Sequence, residues 1–163
     1  ATPLAPVDLV AGETRTLEEP LVIPSFTSSQ SLSGTATVTI GALTVEADSD
    51  AMTPTSNASS EDTYFAAVEV EPNTSGLPFD LVAGTPVAMW YFGNFDHEVD
   101  PAFSFTIDDD YDLDGGTKLN IVVANYSNKE WESAGTATVG VDGTISSDAG
   151  SGIALLTSML LVP

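Results

Sequence analysis

The sequence predicts an all-β protein, a β-sandwich or jelly roll of about 8–10 short antiparallel strands. Three observations lead there. The 13 glycines and 10 prolines punctuate all 163 residues at short intervals and leave almost no helical pattern. The stretches between them are filled by Val, Thr and Ile, side chains that pack well on a pleated surface. Several stretches also alternate by face. Thr35, Thr37 and Thr39 oppose Ala36, Val38 and Ile40, and Val68 and Val70 oppose Glu69 and Glu71, the period of two of a half-buried strand.

Taken in order, the chain opens with ATPLAPVDLVAG, residues 1–12, apolar and rich in proline. An extended arm suits this composition better than a central strand, because proline cannot donate to a ladder. Such an arm either packs on its own domain or clips onto a neighbouring subunit by adding a strand to its sheet. Strand-like runs follow at Arg15–Leu17, Leu21–Ile23, Thr35–Ile40 and Leu43–Ala47. Residues 48–62, DSDAMTPTSNASSED, lack periodicity and read as a long exposed loop. Further runs stand at Tyr64–Glu71, Val87–Phe92, Ala102–Ile107, Lys118–Ala124, Thr136–Val141 and Ile153–Val162. The last of these, within GIALLTSMLLVP, is apolar on both faces, which only a fully buried strand tolerates.

A chain of this length forms one domain, residues 1–163, with a core that needs no covalent staple. Two fragments recur in the same order: DLVAG at 8–12 and 80–84, and GTATV at 34–38 and 135–139. Duplicated halves, about 1–76 and 77–163, would leave such a trace. Ala-Gly turns and Thr/Val alternation are also ordinary material of β proteins.

Against 24 acidic residues stand only Arg15, Lys118 and Lys129, for a formal charge of −21. That sign argues against binding nucleic acid through its phosphates and against anionic membrane surfaces. Three basic side chains cannot neutralise the excess internally, so a saline habitat or divalent cations at defined sites must relieve the self-repulsion. The absence of cysteine excludes disulfides, zinc–thiolate sites and cysteine nucleophiles. No apolar run reaches the roughly 18 residues of a membrane-spanning helix. Asn57, Asn73 and Asn125 each head an N-x-[ST] sequon, compatible with a secreted glycoprotein.

Residues 107–117, IDDDYDLDGGT, are the densest chemistry in the chain. Asp110-x-Asp112-x-Asp114-Gly115 matches the opening of a calcium loop, in which alternate carboxylates surround a hard cation and glycine permits the bend. The twelfth position, where an EF-hand places a bidentate Glu, is Ile121, so an EF-hand is excluded. Two readings stand: a structural Ca2+ loop using Asp108, Asp110, Asp112 and Asp114, or a solvated acidic turn. His97, the single histidine, is expected to lie in a polar acidic turn, where Asp96 and Asp100 could join it on a metal. No GxSxG or comparable catalytic motif is present, and no catalytic residue is assigned. Alternation in MWYF places Trp90 and Phe92 on one face and Met89 and Tyr91 on the other, as core aromatics rather than a sugar platform.

Residues 117–162 read TKLNIVVANY, then NKEWESAGTATV, then VDGTI and a closing apolar strand. With Trp131 in a hairpin, the turn Val141-Asp142-Gly143-Thr144 and a last strand at Ile153–Val162, they resemble the final strands of the Ig-like β-sandwich modules of large bacterial and archaeal cell-surface proteins. The resemblance implies a non-enzymatic, extracellular structural role. The expectation is therefore a structural subunit of an extracellular assembly, such as a filament, surface layer or adhesin, from a cation-rich or saline habitat. Copies of the chain would join through apolar strand-edge contacts. A virion structural protein (capsid, decoration or spike subunit) is the alternative, and a calcium-dependent carbohydrate-binding module is a third reading.

Overall fold

The computed structural model describes residues 11, 25–56, 58, 63–72, 84–108 and 111–163. Its strands are β1 (Gln30–Ser31), β2 (Thr35–Ile40), β3 (Leu43–Asp48), β4 (Met52–Pro54), β5 (Tyr64–Val70), β6 (Ala88–Gly93) and β7 (His97–Phe103). They continue with β8 (Phe105–Ile107), β9 (Lys118–Asn125), β10 (Glu130–Val139), β11 (Ile145–Ser147), β12 (Ile153–Leu155) and β13 (Ser158–Val162). One antiparallel sheet runs β1-β5-β6-β13-β9-β10-β11-β8-β3-β2, and a smaller one runs β12-β7-β4. The large sheet curls until β2 comes back beside β5, so the all-β architecture is that of a nearly closed barrel or sandwich.

Period-two patterning explains which way each strand faces. Val38, Val45, Phe65, Trp90, Phe92, Ile107, Ile121, Val139, Ile145, Met159 and Leu161 point inward into one core. Met52, Val99, Phe103, Ile153 and Leu155 of the small sheet share that core, so the small sheet packs over the curled one. Phe65 joins the layers, its ring 5.7 Å from Phe92 and 6.4 Å from Phe103. At the tight turn between β2 and β3, Gly41 takes φ 60°, a left-handed conformation that costs glycine nothing.

The two GTATV fragments occupy matching places. Each opens after a glycine at positive φ, Gly34 at 72° and Gly135 at 99°. Thr35 then donates its hydroxyl to Asp48 at 2.9 Å, and Thr136 donates to Asp148 at 2.5 Å. The partner strands, β3 and β11, flank β8 on its two sides. The DLVAG fragments lie outside the described residues apart from Ala11 and Gly84.

Three expectations are corrected. The segment 48–62 is not one long exposed loop: a 3-10 turn at Ser49–Ala51 leads into β4, whose Met52 is buried and pairs with Val99. The expected single strand Ile153–Val162 breaks at Leu156–Thr157. Its halves enter different sheets because the Leu156 amide donates to His97 at 2.9 Å while the Thr157 carbonyl accepts from Phe92 at 2.8 Å. The run Thr136–Val141 belongs to a longer strand that starts at Glu130, carries a register shift between Ser133 and Thr136, and stops at the Gly140–Gly143 turn. Arg15–Leu17, Leu21–Ile23 and the arm 1–12 apart from Ala11 lie outside the described residues.

Candidate functional site

Asp108 follows β8 directly, its amide donating to the Ala42 carbonyl at 2.9 Å, and its side chain is exposed. Asp112, at φ 56°, and Asp114 are also exposed, whereas Tyr111 and Leu113 between them pack partly buried on the main core. The Tyr111 hydroxyl donates to Glu69 Oε1 at 2.6 Å, tying this loop to the end of β5. The alternation of the acidic loop is therefore that of a cap, apolar side chains inward and carboxylates outward. Asp110 lies outside the described residues, and among the described residues no three His, Asp or Glu side chains converge as metal ligands.

His97 is not in a polar turn. It opens β7 and is 1 % exposed, with Nδ1 donating to the Asn94 carbonyl at 3.1 Å and Nε2 buried without a hydrogen-bond partner. Asp100 lies three residues along β7 on its opposite, exposed face, so the structure does not bring the two together. The neighbouring Asp96 is 1 % exposed and accepts from Thr55 Oγ1 at 2.7 Å, while its amide donates to Leu156 at 2.7 Å. Left-handed φ values of 57° at Asn94 and 64° at Asp96 fold this turn tightly beneath the start of β13.

Beside it, Tyr126 stands edge-on to Phe95 with ring centroids 5.1 Å apart. Burial pushes the Tyr126 hydroxyl up to about 12, partly offset by the Ser158 hydroxyl, and burial raises Tyr91 as well. Thr157 donates to the Ala124 carbonyl at 2.7 Å. This cluster is a buried polar knot that pins the β6–β7 turn, the end of β9 and the β12–β13 break to one another. The hydrogen bonds of Asp96, Thr157 and His97 Nδ1 are the ones that fix this geometry.

The outer side of the large sheet divides into two unlike halves. Where β5, β6, β13 and the second half of β9 meet, the outward side chains are apolar: Met89, Tyr91, Leu160 and Val162 form a second buried cluster, at 3 %, 3 %, 0 % and 4 % exposure. Val68, Val70, Val122, Trp131 and Phe26 pack against it. Trp90 and Phe92 face the main core as their alternation requires, and the wall is dry on both sides. Burying the four cluster residues contributes about 6–12 kcal/mol at roughly 1.5–3 kcal/mol per large apolar side chain.

The other half is hydroxylic. One cross-strand row reads Thr39, Thr44, Thr106, Ser146, Thr138 and Lys118 across β2, β3, β8, β11, β10 and β9. Thr39 and Thr44 share a hydrogen bond of 3.1 Å, and Lys118 Nζ donates to Thr138 at 2.6 Å. In the next row Thr37 donates to Glu46 at 2.7 Å, and Asp148 accepts from Lys118 at 2.8 Å, from Thr136 and from Thr138. Lys118, then the two threonines, hold the Asp148 carboxyl well below the usual range. A groove of about 190 Å³ opens in this half, lined by Thr44, Glu46, Ser104, Phe105, Thr106, Ser146 and Ser147.

Sequence reasoning missed this row, because each strand contributes a residue or two and no local motif exists. The apolar half was foreshadowed by the two-sided GIALLTSMLLVP. Of the sequons, Asn57 and Asn73 lie outside the described residues; Asn125, at the end of β9, is half-buried and its Oδ1 accepts from the Ser127 amide at 2.9 Å. No helix among the described residues is long and apolar enough to cross a membrane. No family model matches the chain, and no curated protein or solved structure does. The site therefore has to be read from its own chemistry.

Proposed function

We propose that the protein is a non-enzymatic structural subunit of an extracellular assembly, a filament, surface layer or adhesin, working in cation-rich surroundings. The observation that carries this reading is the apolar outer half of the sheet. Met89, Tyr91, Leu160 and Val162 make the outside of this wall a second packed apolar layer, buried within the single chain, and a sheet covered on both faces is a rigid building block of the kind a structural subunit needs. The charge of −21 supplies the condition: copies repel one another until cations screen them. Calcium at Asp108, Asp110, Asp112 and Asp114 would do this at defined points.

Light scattering on the purified chain, with and without millimolar calcium at low and high monovalent salt, tests the reading. Growth into large particles supports it, and growth with monovalent salt alone removes the calcium loop from it. A compact monomer under every condition overturns it. The hydroxyl-lined groove around Thr106 favours a second reading, a carbohydrate-binding module, since hydroxyls and the Glu46 carboxylate suit a neutral glycan. Oligosaccharide titration followed by calorimetry separates the two.

A further inference from the structure

The hydroxylic half of the sheet is not uniform. Along its flanks the hydroxyls are spent within the chain: Thr35 on Asp48, Thr37 on Glu46, and Thr136 and Thr138 on Asp148. Over the middle strands they are not. The hydroxyls of Ser104, Thr106 and Ser146 have no hydrogen-bond partner among the described residues, and only one oxygen of Glu46 is engaged. These four side chains line the groove of about 190 Å³. The ladder explains why it opens here. β8 pairs with β11 only through Ile107 with Ile145 and Thr106 with Ser146. At the next position the Phe105 amide donates to the Ser147 hydroxyl at 3.0 Å instead of to a backbone carbonyl. Regular pairing stops there, and unspent hydroxyls stand along the gap.

We propose that this groove binds one sugar residue of an uncharged polysaccharide through Ser104, Thr106 and Ser146, and that the assembly multiplies this weak contact into firm attachment. The site deepens the carbohydrate reading, and only the multiplication rests on the assembly reading. Hydroxyls both donate and accept, which matches the hydroxyls of a sugar in either role. Charge selects the class of polymer. Lys118, the basic side chain of this face, is held by Asp148 at 2.8 Å, and Lys129 lies past the opposite end of β9. No cation among the described residues is therefore placed to receive a uronate or a sulfate. Glu46 at the rim and the net charge of −21 repel such groups. Phe105 is 3 % exposed and offers no ring for a sugar to stack on, so a single site binds weakly. A repeating polymer laid on a repeating array of subunits gains about 10²–10⁴-fold from effective concentration.

Affinity electrophoresis of the full chain tests this. Native gels at low salt are cast with mannan, galactan, xylan or dextran as uncharged probes, and with alginate as the acidic one. At least one uncharged polymer is expected to retard the parent, and alginate is expected not to. Thr106→Val combined with Ser146→Ala should weaken the retardation at least about fivefold. Thr35→Val, on the same face but away from the groove, should leave it unchanged. Thermal melts matching the parent's show that the variants fold. Should the double variant melt early, Ser104→Ala, which removes no hydrogen bond of the described chain, carries the comparison. No retardation by any uncharged polymer overturns the proposal together with the carbohydrate reading. Retardation that survives the groove variants keeps the carbohydrate reading and overturns this site, and retardation by alginate overturns the charge selection. Particles grown under assembly conditions should bind the same polymer on the order of 10²-fold more tightly than the dispersed chain at equal subunit concentration. Equal affinity overturns the multiplication and leaves the site. A chain that never grows sinks the assembly reading and the multiplication with it, while the gels still decide the groove.

Discussion

Leu160 and Leu161 are neighbours in β13 that face opposite ways, one into the outer cluster and one into the main core, and both are fully buried. In a sheet with one wet face, truncating the outward residue would change stability by no more than about 0.5 kcal/mol. Here Leu→Ala at either position removes three carbons from a dry site. Transfer alone contributes about 2.4 kcal/mol, at about 0.8 kcal/mol per CH2, and the cavity left behind raises the loss to about 3 kcal/mol. For a chain of this length that corresponds to a fall in Tm of roughly 6–12 °C. Urea unfolding at low salt measures both variants against the parent, with equal m values confirming that the midpoint reports stability. The two losses should agree within about 1 kcal/mol. If Leu161→Ala loses about 3 kcal/mol and Leu160→Ala less than about 0.5 kcal/mol, the outer half is not a packed layer.

Phe65→Ala should lose about 3–5 kcal/mol in the same assay, because Phe65 touches aromatic rings of both sheets. Gly135→Ala should cost about 1–3 kcal/mol, since the residue sits at positive φ and a methyl there would run into Ser151; a thermal melt indistinguishable from the parent's would contradict it. Asp148 has a folded pKa below its unfolded one, so its contribution is present above the ordinary aspartate value of about 3.9 and is lost as pH falls below it. Asp148→Asn should therefore be less stable than the parent at neutral pH, and the gap should narrow in acid unfolding below about pH 4. The pair Asp112→Asn and Asp114→Asn should abolish calcium-driven growth in light scattering while leaving the response to monovalent salt unchanged.

Much of the fold was legible because period-two alternation is a local signal. Thr35–Ile40 is β2 residue for residue, and Leu43–Ala47, Tyr64–Glu71 and Lys118–Ala124 lie within a residue of β3, β5 and β9. What misled was polar sequence that the fold buries. NFDHEVD reads as a wet turn, yet tertiary packing seats Asp96 and His97 in the interior, where Thr55 donates to the Asp96 carboxylate and the Asn94 carbonyl accepts from His97 Nδ1, while His97 Nε2 is left unpaired. Met52 was hidden by its Ser- and Thr-rich surroundings for the same reason. The acidic loop was found, but its alternation follows from Tyr111 and Leu113 facing the core, a cause visible only once the core exists. The hydroxylic row is assembled by strand order, and strand order is not written locally.

The place of β13 between β6 and β9 also governs how the molecule is made. Met159 pairs with Trp90 about 70 positions earlier, and on its other side with Val123. During synthesis β6 and β9 must wait, with their apolar faces uncovered, until Ser158–Val162 arrives to join them. A polypeptide whose central pairing forms so late cannot lock prematurely into its final shape, and non-local pairing of this kind folds slowly. The high charge of the chain keeps this waiting form dispersed until the last strand arrives.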